Sequence, residues 1–202
     1  MYITESKVTY LNIAKGAMKR STDGKEISGF VGAITGIALK RKQYMNNPPI
    51  TELRVGLQSP NIATMHILCS TFEAHGTVTT FARMLLARLG SSTNNICQGE
   101  VLEIRAYDAG ETNGACCSVR RHGHLEYLQG APIPKEPREN CLLTCEKIVQ
   151  HLVKVHGELQ TDSSFDDSEV TPEAIPANEH PTKSTPSNGE KPNFADDNDL
   201  PF

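Results

Sequence analysis

Residues 77–90, TVTTFARMLLARLG, are the point at which the apolar period of the sequence changes from that of a strand to that of a helix. From here the apolar side chains fall on one helical stripe, formed by Val78, Phe81, Ala82, Leu85 and Leu89. Thr77 is the expected N-cap, and Gly90 follows the last apolar residue. The pattern predicts one helix from Val78 to Leu89.

The segments before this helix have the composition and period of strands. Leu53, Val55 and Leu57 alternate with polar residues, and the turn residues Ser59-Pro60-Asn61 separate them from a second apolar run, which predicts a hairpin. Three glycines in residues 27–44 are suited to the bends or bulges of a sheet that curls. The strands expected before the helix are residues 7–14, 27–44, 52–58 and about 62–72.

Strand character returns after the helix. Leu102, Ile104 and Ala106 are expected to point inward from a strand over about residues 100–108, and a further strand covers residues 115–121. Strands, one helix and then strands is the order of the OB-fold, a small Greek-key barrel. We therefore predict a mainly β protein with helices, built as an OB-fold-like β-barrel.

A second helix is predicted from Glu139 to His156, and Gly157 closes it. Its apolar stripe would pack either on the barrel or on a second copy of the chain, which would make a homo-oligomer. The stripe consists of Leu142, Cys145, Val149, Leu152 and Val153.

Charge divides the chain into a basic body and an acidic tail. Residues 1–160 carry 18 Lys and Arg against 14 Asp and Glu, a formal +4, whereas residues 161–202 carry 2 against 10, a formal −8. The tail is rich in Ser, Thr, Pro and acidic residues without an apolar period, a composition typical of disordered segments. We expect an OB-fold-like domain in residues 1–130, a packing helix in residues 131–160 and a disordered acidic tail in residues 161–202.

The tail finishes with an acidic run followed by Leu200-Pro201-Phe202. A basic pocket on another protein could bind the phenylalanine ring together with the terminal carboxylate. This ending resembles the acidic tip of bacterial single-stranded-DNA-binding proteins, the SSB family, whose chains close with aspartates, an aliphatic residue, proline and phenylalanine. Asp196 and Asn198 depart from that pattern, and the first 160 residues do not match the SSB core. The matching residues are Asp197, Asp199, Leu200, Pro201 and Phe202.

The resemblance implies a divergent, sequence-independent single-stranded-DNA-binding protein, encoded by a phage or a plasmid. Such a protein coats and protects single strands in replication, recombination or repair. It also implies partner enzymes of the helicase, nuclease, primase or polymerase-accessory kind. These partners would dock on the tip, which comprises Asp196, Asp197, Asp199, Leu200, Pro201 and Phe202.

Binding a single strand requires cations for the phosphates and aromatic faces for the unstacked bases. Lys40, Lys42 and Tyr44 alternate with other residues and would therefore share one face of a strand. The chain has few aromatic residues and no tryptophan, so arginine planes would have to supply part of the stacking. The predicted nucleic-acid-binding residues are Lys40, Arg41, Lys42, Tyr44, Arg54, Arg105, Tyr107, Arg120 and Arg121.

Metal binding and catalysis find little support in the sequence. Cys141 and Cys145 lie one helical turn apart, and His122 and His124 are close in sequence, but no Cys-x-x-Cys knuckle accompanies them, so buried small hydrophobes explain the cysteines better. No phosphate loop or hydrolase motif is present. We expect no cofactor, no metal and no enzyme activity.

Two alternative functions remain open at the level of sequence. One is a strand-annealing or recombination mediator, and the other is a DNA-processing nuclease that carries an SSB-like tip. The six cysteines follow no disulfide framework, no signal pattern is present and the longest weakly polar stretch is too short to span a bilayer. We therefore expect no membrane partner and a cytoplasmic location, in a bacterial cell or a phage-infected host.

Overall fold

The structure is a computed structural model that describes residues 8–14, 16–43, 47–62, 64–108, 110 and 114–160. The chain divides into two units, Met1–Thr161 and Asp162–Phe202, and the described residues all belong to the first. The predicted disordered tail, its docking tip and Tyr44 lie outside the described residues. The expectations about them stay predictions.

Strands dominate the described part of the chain, which contains nine strands and two helices. The predicted mainly β class with helices is confirmed. Within the described residues, no helix combines the length and apolar character needed to cross a membrane. The helices are α1 (Thr80–Leu89) and α2 (Arg138–His156). The strands are β1 (Val8–Ala14), β2 (Ala17–Arg20), β3 (Glu26–Ile27), β4 (Gly29–Lys42), β5 (Ile50–Gln58), β6 (Met65–Ala74), β7 (Thr77–Val78), β8 (Val101–Asp108) and β9 (Ala115–Arg121).

A Greek key forms the centre of the sheet. β4, β5 and β6 are consecutive antiparallel neighbours, and β8 returns after α1 to pair with the first of them, β4. The resulting order, β8-β4-β5-β6, places the fourth strand beside the first, which defines a Greek key. β9 then pairs antiparallel with β8. The predicted sequence of strands, one helix and strands is confirmed.

The sheet curls back on itself. Its strand order is β3-β2-β1-β6-β5-β4-β8-β9, in which β1 pairs parallel with β6. Only Ser28 separates β3 from β4 in the chain, although four strands lie between them in the sheet, so the β3 end of the path must curl back toward β4. The Ser28 carbonyl also accepts a hydrogen bond from Ala106 N at 3.0 Å. This curled half-barrel is consistent with the predicted OB-like barrel.

The main core lies between the sheet and the two helices. The inward residues of β8 that were predicted, Leu102, Ile104 and Ala106, are buried there. α1 packs against β9, and α2 packs against β4, β7 and α1.

The predicted start of α1 needs a correction. The N-cap is Thr79 and not Thr77, because Thr77 and Val78 instead pair with β6 as the short strand β7. The Thr79 hydroxyl accepts the Ala82 N–H at 3.4 Å, which satisfies one of the free donors of the first turn. A tertiary pairing has therefore shortened the helix by two residues relative to the prediction.

The start of β6 and the presence of β2 also differ from the predictions. β6 begins at Met65 and not at residue 62, since residues 59–62 form a turn closed by the Ile62 N–H on the Ser59 carbonyl at 3.4 Å. The segment before the turn at residues 21–25 contains β2, which was not predicted because its residues show no apolar alternation. β2 exists because it pairs antiparallel with β1.

α2 ends one residue before Gly157, as predicted, and buries Cys141, Cys145, Val149 and Leu152. Burial raises the pKa of the Cys145 thiol, and it raises the pKa of the fully buried Cys117 to about 12. These thiols are therefore neutral in the folded protein, as expected of cysteines that act as small hydrophobes.

Residues 157–160, which follow α2, form a strap along β4. Ile37 N donates to the Gly157 carbonyl at 3.1 Å, and Leu159 N donates to the Ile37 carbonyl at 3.2 Å. Leu159 sits over two glycines of neighbouring strands: a Cβ on Gly36 would lie 2.8 Å from Leu159 Cα, and one on Gly56 would lie 2.6 Å from Leu159 Cδ1. The strap covers this part of the outer face of the sheet.

Candidate nucleic-acid interface

The outer face of the β8–β9 hairpin brings together three of the predicted binding residues. Arg105 lies opposite Ser118 and Tyr107 lies opposite Cys116, while Arg120 lies opposite Glu103. Residues directly opposite each other in an antiparallel pair point to the same side of the sheet. Arg105, Tyr107 and Arg120 therefore share one face.

Tyr127 joins this face and was missed by the sequence analysis. It forms an antiparallel bridge with Arg120, and the Leu128 N–H donates to the Val119 carbonyl at 2.7 Å, so residues 127–128 continue the sheet beyond β9. The guanidinium carbon of Arg120 lies 5.9 Å from the centre of the Tyr127 ring, a cation–π contact. The signal that was overlooked is an aromatic residue soon after the Arg120-Arg121 pair.

We call Arg105, Tyr107, Arg120 and Tyr127 the β8–β9 face. Both rings are open to solvent, with Tyr107 42% and Tyr127 47% exposed. Tyr107 lies opposite Cys116, and Tyr127 lies opposite Arg120. These two positions of β9 are four residues apart, which corresponds to about 13 Å along an extended strand. The two arginines lie between the rings, so two aromatic groups flank two cationic groups.

Glu103 holds the two arginines of this face in place. Its carboxylate accepts from Arg105 Nε through one oxygen and from Arg120 Nε at 2.6 Å through the other. Burial alone would raise the pKa of Glu103, but the hydrogen bonds from Arg105 and Arg120 outweigh it and leave the pKa below its ordinary value. Gly29 opens the path for Arg105, since a Cβ there would lie 2.7 Å from Arg105 Cγ.

The lowered pKa of Glu103 predicts a pH-dependent stability. A carboxyl whose pKa is depressed by folding stabilises the fold above its ordinary pKa of 4.5 and loses this contribution as pH falls through the lowered value. We expect Glu103→Gln to lower the free energy of unfolding by about 1–2 kcal/mol at pH 7. Because the carboxyl becomes protonated as pH falls through its lowered pKa, the difference should shrink progressively below pH 4.5 in urea unfolding experiments.

Glu26→Gln is the matched control for this experiment. Glu26 pairs with Lys19 at 3.0 Å, but both side chains are about half exposed. An exposed pair of this kind contributes about 0–1 kcal/mol. A loss at Glu103→Gln that is no larger than at Glu26→Gln, or that is the same at pH 7 and pH 2.5, would contradict the assigned role of Glu103.

A second group of predicted cations lies on β4 and β5. Lys40 and Lys42 share a face, as predicted, and Lys42 Nζ lies 3.4 Å from Glu52 Oε2. Arg41 alternates with them and is exposed.

Arg54 was expected on an accessible surface, and this expectation is corrected. It is only 4% exposed, its Nε donates to Glu52 Oε2 at 2.8 Å, and its guanidinium lies 5.8 Å from the Tyr10 ring centre. Burial alone would lower the pKa of Arg54, but the Glu52 carboxylate raises it above the ordinary value. Arg54 therefore contacts Glu52 within β5 and Tyr10 of β1.

Arg121, another predicted binding residue, does not join the β8–β9 face. It follows Arg120 in an extended strand, so its side chain points to the opposite side of β9. There it donates to the Glu100 carboxylate through Nε and to the Asn94 carbonyl through Nη2. Arg121 ties the loop after α1 to the sheet and lies away from the β8–β9 face.

The structure does not bring the two groups of cations into one cluster. Arg105 pairs with Gly29 at the start of β4, whereas Lys40 lies eleven residues farther along, about 35 Å at the rise of an extended strand. The strap of residues 157–160 pairs with β4 at Ile37, between these two positions. The β8–β9 face is thus a separate surface.

No protein-family model, curated protein or solved structure matches this chain. Among the described residues, no group of three or more His, Cys, Asp or Glu side chains could hold a metal ion. The chemistry available on the β8–β9 face is ring stacking together with charge-assisted hydrogen bonding.

Proposed function

We propose that this protein binds single-stranded DNA without sequence specificity and coats it during replication, recombination or repair. The observation that carries the proposal is the β8–β9 face, where two exposed tyrosine rings flank two arginines. Stacking of bases on aromatic rings tolerates any sequence, because every base has a π-face. Arginines between the rings are suited to the phosphates that connect stacked bases.

The electrostatics of the face also favour a phosphate ligand. Arg105 and Arg120 share the single carboxylate of Glu103, so this group of three carries a net positive charge. The side chain of Arg105 is 45% exposed, and its remaining N–H groups can meet a phosphate without breaking the contact to Glu103. Glu103 thus orients the guanidinium groups in advance of binding.

The direct test is a titration of fluorescent oligothymidylate at several salt concentrations, with duplex DNA of equal length as the control. We expect tighter binding of the single strand and a fall in its affinity as salt rises, because phosphate contacts release counterions. Equal affinity for duplex, or no binding of single strands at low salt, would contradict the proposed function.

The acidic tail supports the second half of the proposal, in which the tip recruits replication or repair enzymes. Its support is the resemblance of residues 196–202 to the SSB tip, together with the formal charge of −8 on residues 161–202, which nucleic acid repels. By the same resemblance we place the protein in the cytoplasm of a bacterium or a phage-infected host.

Deleting residues 161–202 should leave the affinity for single-stranded DNA unchanged or raise it, because an acidic segment is removed. Replacing Phe202 by alanine should likewise spare DNA binding but remove the capture of partner proteins. Fluorescence titration checks the first result, and pull-down of purified helicase or primase checks the second. A large loss of DNA affinity on truncation, or unchanged partner capture after Phe202→Ala, would refute the assigned role of the tail.

A further inference from the structure

A cleft with both polar and apolar lining residues lies at the start of α1. Its volume is about 260 Å³, several times that of a water molecule. β6, α1 and the start of β9 form its walls. The lining residues are Ile13, Ser70, Thr71, Thr79, Thr80, Phe81, Gly114 and Ala115.

The cleft contains a buried hydroxyl without a partner. Ser70 is only 4% exposed, and its Oγ makes no hydrogen bond to any described residue. A buried polar group without a hydrogen bond is costly and rare in folded proteins. The Ser70 hydroxyl is therefore available to a ligand in the cleft.

The first turn of α1 adds further donors. The first N–H groups of a helix have no acceptor within the helix. Thr79 caps the Ala82 N–H with its hydroxyl and accepts the Arg83 N–H with its carbonyl. The N–H groups of Thr80 and Phe81, two residues that line the cleft, have no acceptor within the helix. The Thr79 hydroxyl is fully used, since it also donates to the Thr71 carbonyl at 2.5 Å.

The electrostatic environment at this helix end favours a negative charge. The first turn of α1 contains no acidic residue, so the positive end of the helix dipole is not compensated there. Arg83 adds a cation one turn along the helix, with its Nη2 3.5 Å from Thr80 Oγ1 and its Nη1 donating to the Ile133 carbonyl at 2.9 Å. Arg83 Nε is itself buried and makes no hydrogen bond within the described part of the chain.

We propose that this cleft binds a phosphate group, held by the hydroxyls of Ser70 and Thr80 and the N–H groups of Thr80 and Phe81. A phosphate dianion offers three strong acceptor oxygens, which matches a set of donors better than a single carbonyl or carboxylate would. The apolar walls at Ile13 and Ala115 leave room for the group that a phosphate monoester carries. The proposal does not rest on DNA binding by the β8–β9 face.

Isothermal titration of the full chain with inorganic phosphate tests the site, at constant ionic strength kept by chloride. Ser70→Ala removes one charge-assisted hydrogen bond and should weaken phosphate binding about tenfold. Thr80→Glu places a fixed carboxylate at the helix start and should abolish binding, while Thr80→Gln of equal size should retain part of it. Both positions tolerate the change, because Ser70 loses only an unpartnered hydroxyl and an acid in the first turn stabilises a helix.

The source of the phosphate is resolved by oligothymidylates with and without a 5′-phosphate. If the phosphorylated strand binds wild type more tightly and Ser70→Ala removes the difference, the ligand is a nucleic-acid end. If inorganic phosphate binds and the strand end has no effect, the site serves free phosphate or a small phosphate monoester. Phosphate binding that is undetectable in wild type, or equal in wild type, Ser70→Ala and Thr80→Glu, overturns the proposal whatever the titration of unphosphorylated DNA shows.

Discussion

Replacing Tyr107 and Tyr127 together by alanine should weaken the binding of oligothymidylate by about 2–6 kcal/mol, because each stacked base contributes about 1–3 kcal/mol. The two rings lie on the same face, and both are among the exposed large hydrophobic side chains of the described residues. The variant should therefore remain folded, with the circular dichroism and unfolding midpoint of the wild type nearly unchanged. Fluorescence titration at low salt measures the loss.

Replacing the same residues by phenylalanine is the matched control, since phenylalanine keeps the stacking surface and removes only the hydroxyl. This variant should bind oligothymidylate nearly as tightly as wild type. If the alanine variant keeps wild-type affinity, the rings of the β8–β9 face do not stack on bases. If the phenylalanine variant loses as much as the alanine variant, the tyrosines act through their hydroxyl groups instead.

Arg54→Ala should have the opposite profile, with a large loss of stability and little effect on DNA affinity. Arg54 is buried against Glu52 and the Tyr10 ring, so its removal takes from the Glu52 carboxylate a hydrogen-bonded partner at 2.8 Å. Breaking a buried ion pair by removing one partner costs about 3–5 kcal/mol. Denaturant unfolding measures the loss, and DNA titration at a temperature where the variant is folded measures the affinity.

Arg41→Ala is the matched stability control, because Arg41 is an exposed arginine on the neighbouring strand. Its removal should change the free energy of unfolding by less than about 0.5 kcal/mol. A cost for Arg54→Ala that is no larger than for Arg41→Ala would show that Arg54 does not stabilise the fold. A loss of DNA affinity in folded Arg54→Ala would show that Arg54 contributes to DNA binding, as the sequence predicted.

The elements that the sequence predicted well are those with a local period. α2, β8 and β9 were predicted to within one residue, since alternation in strands and a 3.6-residue stripe in helices depend only on neighbouring positions. The bulge expected from the glycines of β4 occurs between Ile34 and Gly36. The parallel pairing of β1 with β6 brings together residues more than fifty positions apart, and no local pattern encodes it.

The candidate site was predicted only in part. Alternation along a strand gives the side on which a residue lies, but not whether other residues cover it. Alternation placed Arg105 and Tyr107 on one side of β8, which the register supports. Arg54 also alternates correctly, yet Glu52 and Tyr10 cover it. Arg121 is bound by Glu100 and the Asn94 carbonyl from the loop after α1, a contact that depends on the tertiary fold.

Gly36 and Gly56 show the same limit of what local sequence can predict. Glycines in a strand predict a bend or a close approach, but not which segment approaches. Here it is Leu159, which follows a helix more than a hundred residues later in the chain. Which part of the outer face stays open to a ligand therefore depends on the whole fold.

The salt dependence of oligothymidylate binding by Arg105→Gln/Arg120→Gln, compared with Arg121→Gln, tests most directly whether the β8–β9 face contacts phosphates. Each contact to a single strand contributes about 0.7 to the slope of log affinity against log salt. We expect the double variant to bind more weakly and its slope to fall by about 1.4, whereas Arg121→Gln, on the opposite side of β9, should keep the wild-type slope. Wild-type slope and affinity in the double variant would contradict single-strand binding by this face.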